Sequence, residues 1–363
     1  MRAAIQTGIR TIELREIPEP APDASTGLVR VRSAGICGSD LHPYHGRAEP
    51  QTLPAGHEVA GEVIHLPAGY DGPARVGDLV AVDTILGMAC GDCAFCRAGQ
   101  PFHCPARHVA NPPGGGFAEI MKRRPAGFFP LAPGMSAQQG ALVEPLAVGV
   151  HGVRWSRMAE AATVVIIGAG TIGLTTLMAA RALGAGSVHI TARHAHQASM
   201  ATDLGATSVL PESPAAATEA VQALTDGLGA DLVIETVGGH ADTLNLAWEL
   251  VKPQGTVGVL GVFPDPVPVN LLRPLQKEVW VTFPICYGYI DGRHDFQVAI
   301  DLIASGKAPV ERMVTREFPL EQAPLAFQTA ADKSTGSVKI HLTNGYLSRQ
   351  KNPRPNPLPR PGS

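Results

Sequence analysis

At 363 residues, with a net charge of −3, 45% hydrophobic and 17% charged residues, the chain has globular composition and room for two domains of ordinary size. The absence of a basic excess argues against a nucleic-acid partner, and 5% aromatics leave too few rings for a single-strand stacking platform. Forty glycines and 32 prolines point to a loop-rich architecture rather than a helical bundle.

The opening Met1-Arg2-Ala3-Ala4-Ile5 runs into polar residues within a few positions, unlike a signal peptide; a soluble, cytoplasmic protein is expected. Residues 1–147 carry short apolar runs, such as Gly27-Leu28-Val29-Arg30-Val31-Arg32 and Val59-Ala60-Gly61-Glu62-Val63-Ile64, each closely followed by turn residues. That pattern suggests a small β-barrel or sandwich. Over 148–287 the rhythm changes to strands alternating with helices: strand 163–167, a helix to Leu183, strand Ser187–Thr191, a helical stretch to Leu204, then strands Asp231–Glu235 and Gly255–Leu260. Such alternation marks a doubly wound parallel sheet. Ala161–Ala180 holds 20 residues without a charge, long enough to cross a bilayer. Gly168, Gly170 and Gly173 interrupt it, and a strand–turn–helix explains every position; no membrane span is expected. Residues 288–343 add a helix, Asp295–Ser305, and a strand, Gly336–Leu342, whose simplest placement is back against the first domain. Residues 344–363, rich in proline and basic residues, are expected to form a disordered tail.

Four of the six cysteines fall within fifteen residues, which favours metal thiolates in a reducing compartment over disulfides. Cys90, Cys93 and Cys96 are separated by two-residue gaps, and Cys104 follows eight residues later. Two-residue gaps let a tight turn carry successive sulfurs to adjacent vertices of a tetrahedron, as in a closed, structural zinc site. An iron–sulfur cluster is the competing reading, but the bacterial ferredoxin spacing has three residues before its last cysteine and this loop has seven.

Gly168-Ala169-Gly170-Thr171-Ile172-Gly173 follows a strand and opens a helix, the setting in which glycines admit a dinucleotide pyrophosphate to a helix N-terminus. Elsewhere Cys37, His57-Glu58 and Glu144 are scattered. Together they offer a thiolate, an imidazole and one or two carboxylates, suited to zinc with a position left for water or substrate.

The chain resembles the zinc-containing branch of the medium-chain dehydrogenase/reductase superfamily, which holds alcohol, polyol and threonine dehydrogenases. The resemblance covers residues 1–343. It rests on Gly35-Ile36-Cys37-Gly38-Ser39-Asp40-Leu41-His42, Gly56-His57-Glu58, Gly77-Asp78-Leu79-Val80, the cysteine loop, Glu144-Pro145-Leu146-Ala147 and the glycine fingerprint. It implies an α/β fold: a GroES-like β-barrel catalytic domain (1–147 and 288–343) around a Rossmann domain (148–287). By that likeness Cys37 and His57 bind a catalytic zinc, with Glu58 or Glu144 as a further ligand. Ser39 holds the substrate hydroxyl and starts a proton relay through the nicotinamide ribose to His42, and Asp40 orients His57. Gly168, Gly170, Thr171, Ile172, Gly173, Ala192, Arg193, Thr236 and Val237 form the expected cofactor-binding set.

An acidic residue ends the second strand of NAD-binding folds. Here Thr191-Ala192-Arg193 lacks it; Arg193, with Thr191 as a further donor, suits a 2′-phosphate. The expected reaction is therefore hydride transfer between an alcohol or polyol and NADP, with NAD as the alternative. A zinc-free reductase has no use for the two ligand sets, and a cofactor-binding protein without activity is the alternative of another class. A homodimer or homotetramer is expected, with Val257–Val262 as a candidate edge strand between subunits. Tyr44 and the loop Phe283–Tyr289 are candidate substrate-pocket residues.

Overall fold

The computed structural model describes residues 1–50, 53–108 and 114–345. Apolar runs cut short by glycine and proline build a seven-stranded sheet. Its hydrogen-bonded order is Val314–Pro319, Lys339–Thr343, Gly27–Gly35, Glu58–His65, Leu79–Val82 and Phe128–Pro130, and Ile120–Arg123 also pairs with Gly27–Gly35. Val29, Val31, Val59, Val63, Val80, Phe117 and Phe128 fill its interior. The last strand, near the end of the described chain, thus joins the first domain. The observed strand, Lys339–Thr343, starts later than the periodicity suggests, because Gly336 takes a left-handed conformation that closes a 3-10 turn.

The second sheet has six parallel strands in the order Ser208–Leu210, Ser187–Thr191, Thr163–Ile167, Ala230–Glu235, Val251–Val259 and Trp280–Thr282. Its central strands are apolar on both faces because helices cover both. Strand order reverses between Thr163–Ile167 and Ala230–Glu235, so a crevice opens beyond their carboxyl ends at Gly168 and Thr236. Val257–Val262, expected as an edge strand, is not at the edge. Val257 pairs with Val281, so Val257–Val259 is interior to the sheet and the edge is Trp280–Thr282.

The helix Val143–Trp155 joins the two sheets. It lies against the helix Thr171–Ala182 so closely that a Cβ on Gly149 would stand 2.7 Å from the backbone nitrogen of Thr176. A core shared by both sheets, from Ala81 and Ile85 through Leu146 and Val150 to Ile166 and Leu174, seals the seam. Of the expected tail, residues 346–363 lie outside the described residues; Asn344 is anchored, its side-chain amide donating to the Ala118 carbonyl at 2.9 Å. Among the described residues no helix is long and apolar enough to cross a membrane.

Candidate active site and metal centres

Strand register gathers the first ligand set. Gly35 pairs with Glu58 in the antiparallel ladder of Gly27–Gly35 and Glu58–His65, which sends Cys37 and His57 to the same end of the sheet. Ligand atoms of Cys37, His57 and Glu58 all lie within 4.8 Å of one another. Asp40 closes the turn behind them: its Oδ2 accepts from the Cys37 backbone N–H at 2.9 Å, and its Oδ1 lies 3.9 Å from His57 Nδ1. Glu144, buried in the first turn of Val143–Trp155, stands outside that group of three but within its field.

On the far side, Lys339 comes level with Cys37 because His341 pairs with Gly35 in the next ladder. Its Nζ donates to Glu58 Oε1 and Oε2 at 2.6 and 2.7 Å and to the Ile36 carbonyl at 3.1 Å. Both side chains are 1% exposed. A Cβ on Gly35 would fall 1.9 Å from Glu58 Oε2, so only glycine leaves room for the carboxylate. Sequence reasoning missed Lys339; a lysine inside the apolar run Val338–Leu342 was the available signal.

The electrostatics are those of a site that wants a cation. Burial pulls the His57 value down, yet Cys37, Asp40 and Glu144 outweigh it and raise it well above the ordinary range. Burial, reinforced by Glu58 and opposed by His57, pushes Glu144 up to about 7, and burial raises Asp40. A divalent cation relieves such crowding of buried negative groups, and thiolate, imidazole and carboxylate donors fit zinc. Ser39 and His42 sit on adjoining short helices, Gly38–Asp40 and Leu41–Tyr44, both exposed.

Cys90, Cys93, Cys96 and Cys104 form a second cluster. The Sγ atoms are 3.9 Å apart for Cys90–Cys96 and 3.5 Å apart for Cys93–Cys96 and Cys90–Cys104. A tetrahedron with zinc–sulfur bonds of about 2.3 Å has edges of about 3.8 Å, so the donor set fits zinc. Left-handed Gly91 and Gly99 make the two turns that fold the loop.

The fingerprint forms a strand–turn–helix. Gly168 has φ +99, and a Cβ on Gly173 would lie 1.8 Å from the Gly168 carbonyl. Gly170 caps the helix Thr171–Ala182, and a Cβ there would meet nothing within 4 Å, an open approach suited to phosphate. Thr171 Oγ1 donates to the Val338 carbonyl at 3.3 Å, and Ile172 is half-buried beside it. From the end of the neighbouring strand, Thr236 Oγ1 donates to the Ile167 and Gly168 carbonyls at 2.8 and 3.2 Å, while Val237 is exposed. The Thr191 hydroxyl is buried and accepts from the Gly168 N–H at 2.9 Å, which ties the strand end to the fingerprint loop. Ala192 is half-buried and Arg193 exposed, with Arg193 Nε 3.5 Å from Glu212.

Residues 23–133 match the alcohol dehydrogenase GroES-like domain, and residues 171–305 match the zinc-binding dehydrogenase family. The sorbitol dehydrogenase of Bacillus subtilis (strain 168) is 31% identical over 350 residues, covering 94% of this chain and 96% of its own. The structure of a zinc-binding dehydrogenase from Sinorhizobium meliloti 1021 bound to NADP has a TM-score of 0.80 and 31% identity, covering 94% of this chain and 99% of that one. An alcohol dehydrogenase from Escherichia coli CFT073 complexed with NADH has a TM-score of 0.83 and 25% identity, covering 95% and 99%. With both folds and both ligand clusters in one polypeptide, the chain belongs to the zinc-dependent medium-chain dehydrogenase superfamily and is an oxidoreductase.

Proposed function

We propose that this enzyme transfers a hydride between the carbinol carbon of an alcohol or polyol, or the corresponding ketone, and NADP(H). The observation that carries the reading is the convergence of Cys37, His57 and Glu58 at one sheet end, with Glu144 beside them. Zinc held by Cys37, His57 and a carboxylate would supply a Lewis acid for the substrate oxygen, and the nicotinamide ring the hydride acceptor. The geometry favours Glu58 as the third ligand: it is in reach, and Lys339 compensates its charge. Glu144 then serves as the nearby carboxylate that can exchange with it.

The chain's own residues handle the proton. Ser39 takes the substrate hydroxyl, whose proton must leave before hydride can. His42, one helical step on and exposed, returns it to solvent. Asp40 holds the Cys37 backbone and faces His57, fixing both ligands. The four-cysteine cluster binds a structural zinc, and metal thiolates fit a reducing, cytoplasmic setting.

Ala192 and Arg193 support NADP: no carboxylate ends the second strand to repel a 2′-phosphate, and an exposed guanidinium is at hand. The nearby Glu212 must yield to it, and its presence is the one observation that favours NAD. A homodimer through the edge strand Trp280–Thr282 is supported by exposed Trp280 and Phe283, 71% and 70% accessible, since an open apolar edge invites pairing.

The test is a screen of alcohols and polyols with NADP⁺ and NAD⁺, and of ketones with the reduced cofactors, on zinc-replete enzyme. Activity that is lost to a chelator and restored by zinc, with higher kcat/KM for NADP⁺, is expected. Chelator-resistant turnover would overturn the zinc reading, and a strong preference for NAD⁺ the cofactor reading.

A further inference from the structure

Glu235 ends the strand Ala230–Glu235 at the point where the sheet reverses its strand order. Its side chain is fully buried. Oε1 accepts from the backbone N–H groups of Val237 and Gly238 at 2.7 and 2.9 Å and from the Thr243 hydroxyl at 2.9 Å. These donors are all neutral, and Oε2 has no hydrogen-bond partner among the described residues. A buried carboxylate held this way is an expensive means of bracing a loop, and such exceptions concentrate where function needs a fixed geometry.

The surroundings are built around it. The Glu235 carbonyl accepts from Leu260 and Gly261 at 2.8 and 3.1 Å, and Gly239 donates to the Val262 carbonyl at 2.8 Å. A Cβ on Gly261 would stand 2.1 Å from Glu235 Oε2, and one on Gly238 2.4 Å from the Val262 carbonyl oxygen. Three chain segments therefore meet at one carboxylate. What they hold in place is Val237, whose Cγ2 lies 2.5 Å from where a Cβ on Gly168 would be. Val237 is 49% exposed and lies beside the fingerprint turn at Gly168.

We propose that Glu235 is a positioning residue for the dinucleotide: its carboxylate fixes Val237 and Gly238 and so sets the cleft wall beside the fingerprint. The proposal rests on the reading that Thr236 and Val237 border the cofactor. Glu235 touches no reacting atom. It acts through two peptide N–H groups whose direction decides how far Val237 projects, and through Thr243, which ties the loop to the helix Thr243–Leu250.

Three substitutions separate reach from charge. Glu235→Gln keeps the length and an acceptor oxygen, Glu235→Asp keeps the charge but falls a methylene short, and Glu235→Ala removes both. Cofactor affinity is read directly, by titrating zinc-replete enzyme with NADPH and NADH and following nicotinamide fluorescence. The expected result is a Kd and cofactor KM raised about ten-fold in Asp and Ala and within about three-fold of wild type in Gln. Saturated kcat and the alcohol KM should stay within about two-fold, because the lost contacts act on binding. Unchanged cofactor affinity in folded Glu235→Asp overturns the proposal, as does a fall in kcat with affinity intact. If Glu235→Ala does not fold, the Asp and Gln pair still decides. Val237→Asp, at an exposed position, tests the underlying reading: if it leaves affinity unchanged, Val237 does not border the cofactor, whereas weakened binding there with none in Glu235→Asp rejects only the role of Glu235.

Discussion

Lys339 Nζ bridges both oxygens of the Glu58 carboxylate, at 2.6 and 2.7 Å, although 281 positions separate them in the chain. The pair is buried at the back of the pocket that gathers Cys37 and His57. Without bound zinc, removing one member leaves the other as an uncompensated buried charge. Lys339→Met is therefore expected to destabilise the fold by about 3–5 kcal/mol. Glu58→Gln combined with Lys339→Met should recover most of that loss, because the charge is removed with its partner. Denaturant unfolding of wild type and of the single and double variants, all in chelator, checks this; equal stabilities for Lys339→Met and wild type would remove the pair from the account of the fold.

The cysteine cluster is expected to act on stability rather than chemistry. Purified enzyme should hold about two zinc ions per chain, and Cys93→Ser about one, since three thiolates no longer close the tetrahedron. The variant's Tm should fall while residual zinc remains at Cys37 and His57, which elemental analysis with thermal unfolding resolves. Full zinc content and an unchanged Tm in Cys93→Ser would sink the assignment.

His341, outside the ligand set, offers a pH test. It is fully buried, its Nδ1 lies 2.9 Å from Ser33 Oγ, and burial, aided by the Lys339 charge, drops its value to about 3. The unfolded chain takes up that proton near pH 6.5, whereas the folded chain does not until near 3. Its contribution is therefore complete above about 6.5 and is lost as pH falls towards 3, at about 1.4 kcal/mol per unit. His341→Gln, which cannot titrate, should show a shallower acid limb in unfolding free energy. Parallel limbs for the two proteins would show that His341 is protonated in the fold.

The parts of this molecule legible in its sequence are those made by neighbours in the chain. Cys90, Cys93, Cys96 and Cys104 lie within one loop, and Gly168, Gly170 and Gly173 within one turn, so local geometry brings each set together. Lys339 could not be read the same way. A lysine in a short strand normally marks a solvent-facing side, yet Lys339, Ile340, His341 and Leu342 are all buried because this strand is covered on both faces. Thr191 was legible only in part, because a hydroxyl at a strand end suits a ligand phosphate and a neighbouring turn equally, and here it accepts from the Gly168 N–H. The sheet edge was misplaced since Trp280–Thr282, only three residues long, is too brief to show a period.

That short edge carries the test of assembly. With Trp280 and Phe283 exposed, pairing with a second copy would continue the parallel sheet's open side. Val281→Lys places a charge on the edge, a device that natural sheets use against pairing. Sedimentation is expected to show a dimer for wild type and a monomer for Val281→Lys at the same concentration. A variant that stays dimeric would move the interface elsewhere.

The proton path gives the sharpest catalytic contrast. Ser39 and His42 lie on consecutive short helices that begin at Cys37, so both are positioned by the ligand loop yet reach solvent. Neither contributes to the metal-binding group, and Asp40 rather than Ser39 braces the Cys37 backbone. Ser39→Ala should therefore keep its zinc and Tm while turnover falls about 10²–10⁴-fold, the range typical of a lost proton-transfer group. His42→Ala stands nearer solvent, and water can take over part of its task. It should lower kcat mainly at the acid side, with rates recovering as pH rises and hydroxide becomes available. Pre-steady-state hydride transfer measured across pH separates the two. Near-normal transfer rates in zinc-replete Ser39→Ala would refute the relay and leave the substrate proton to another group.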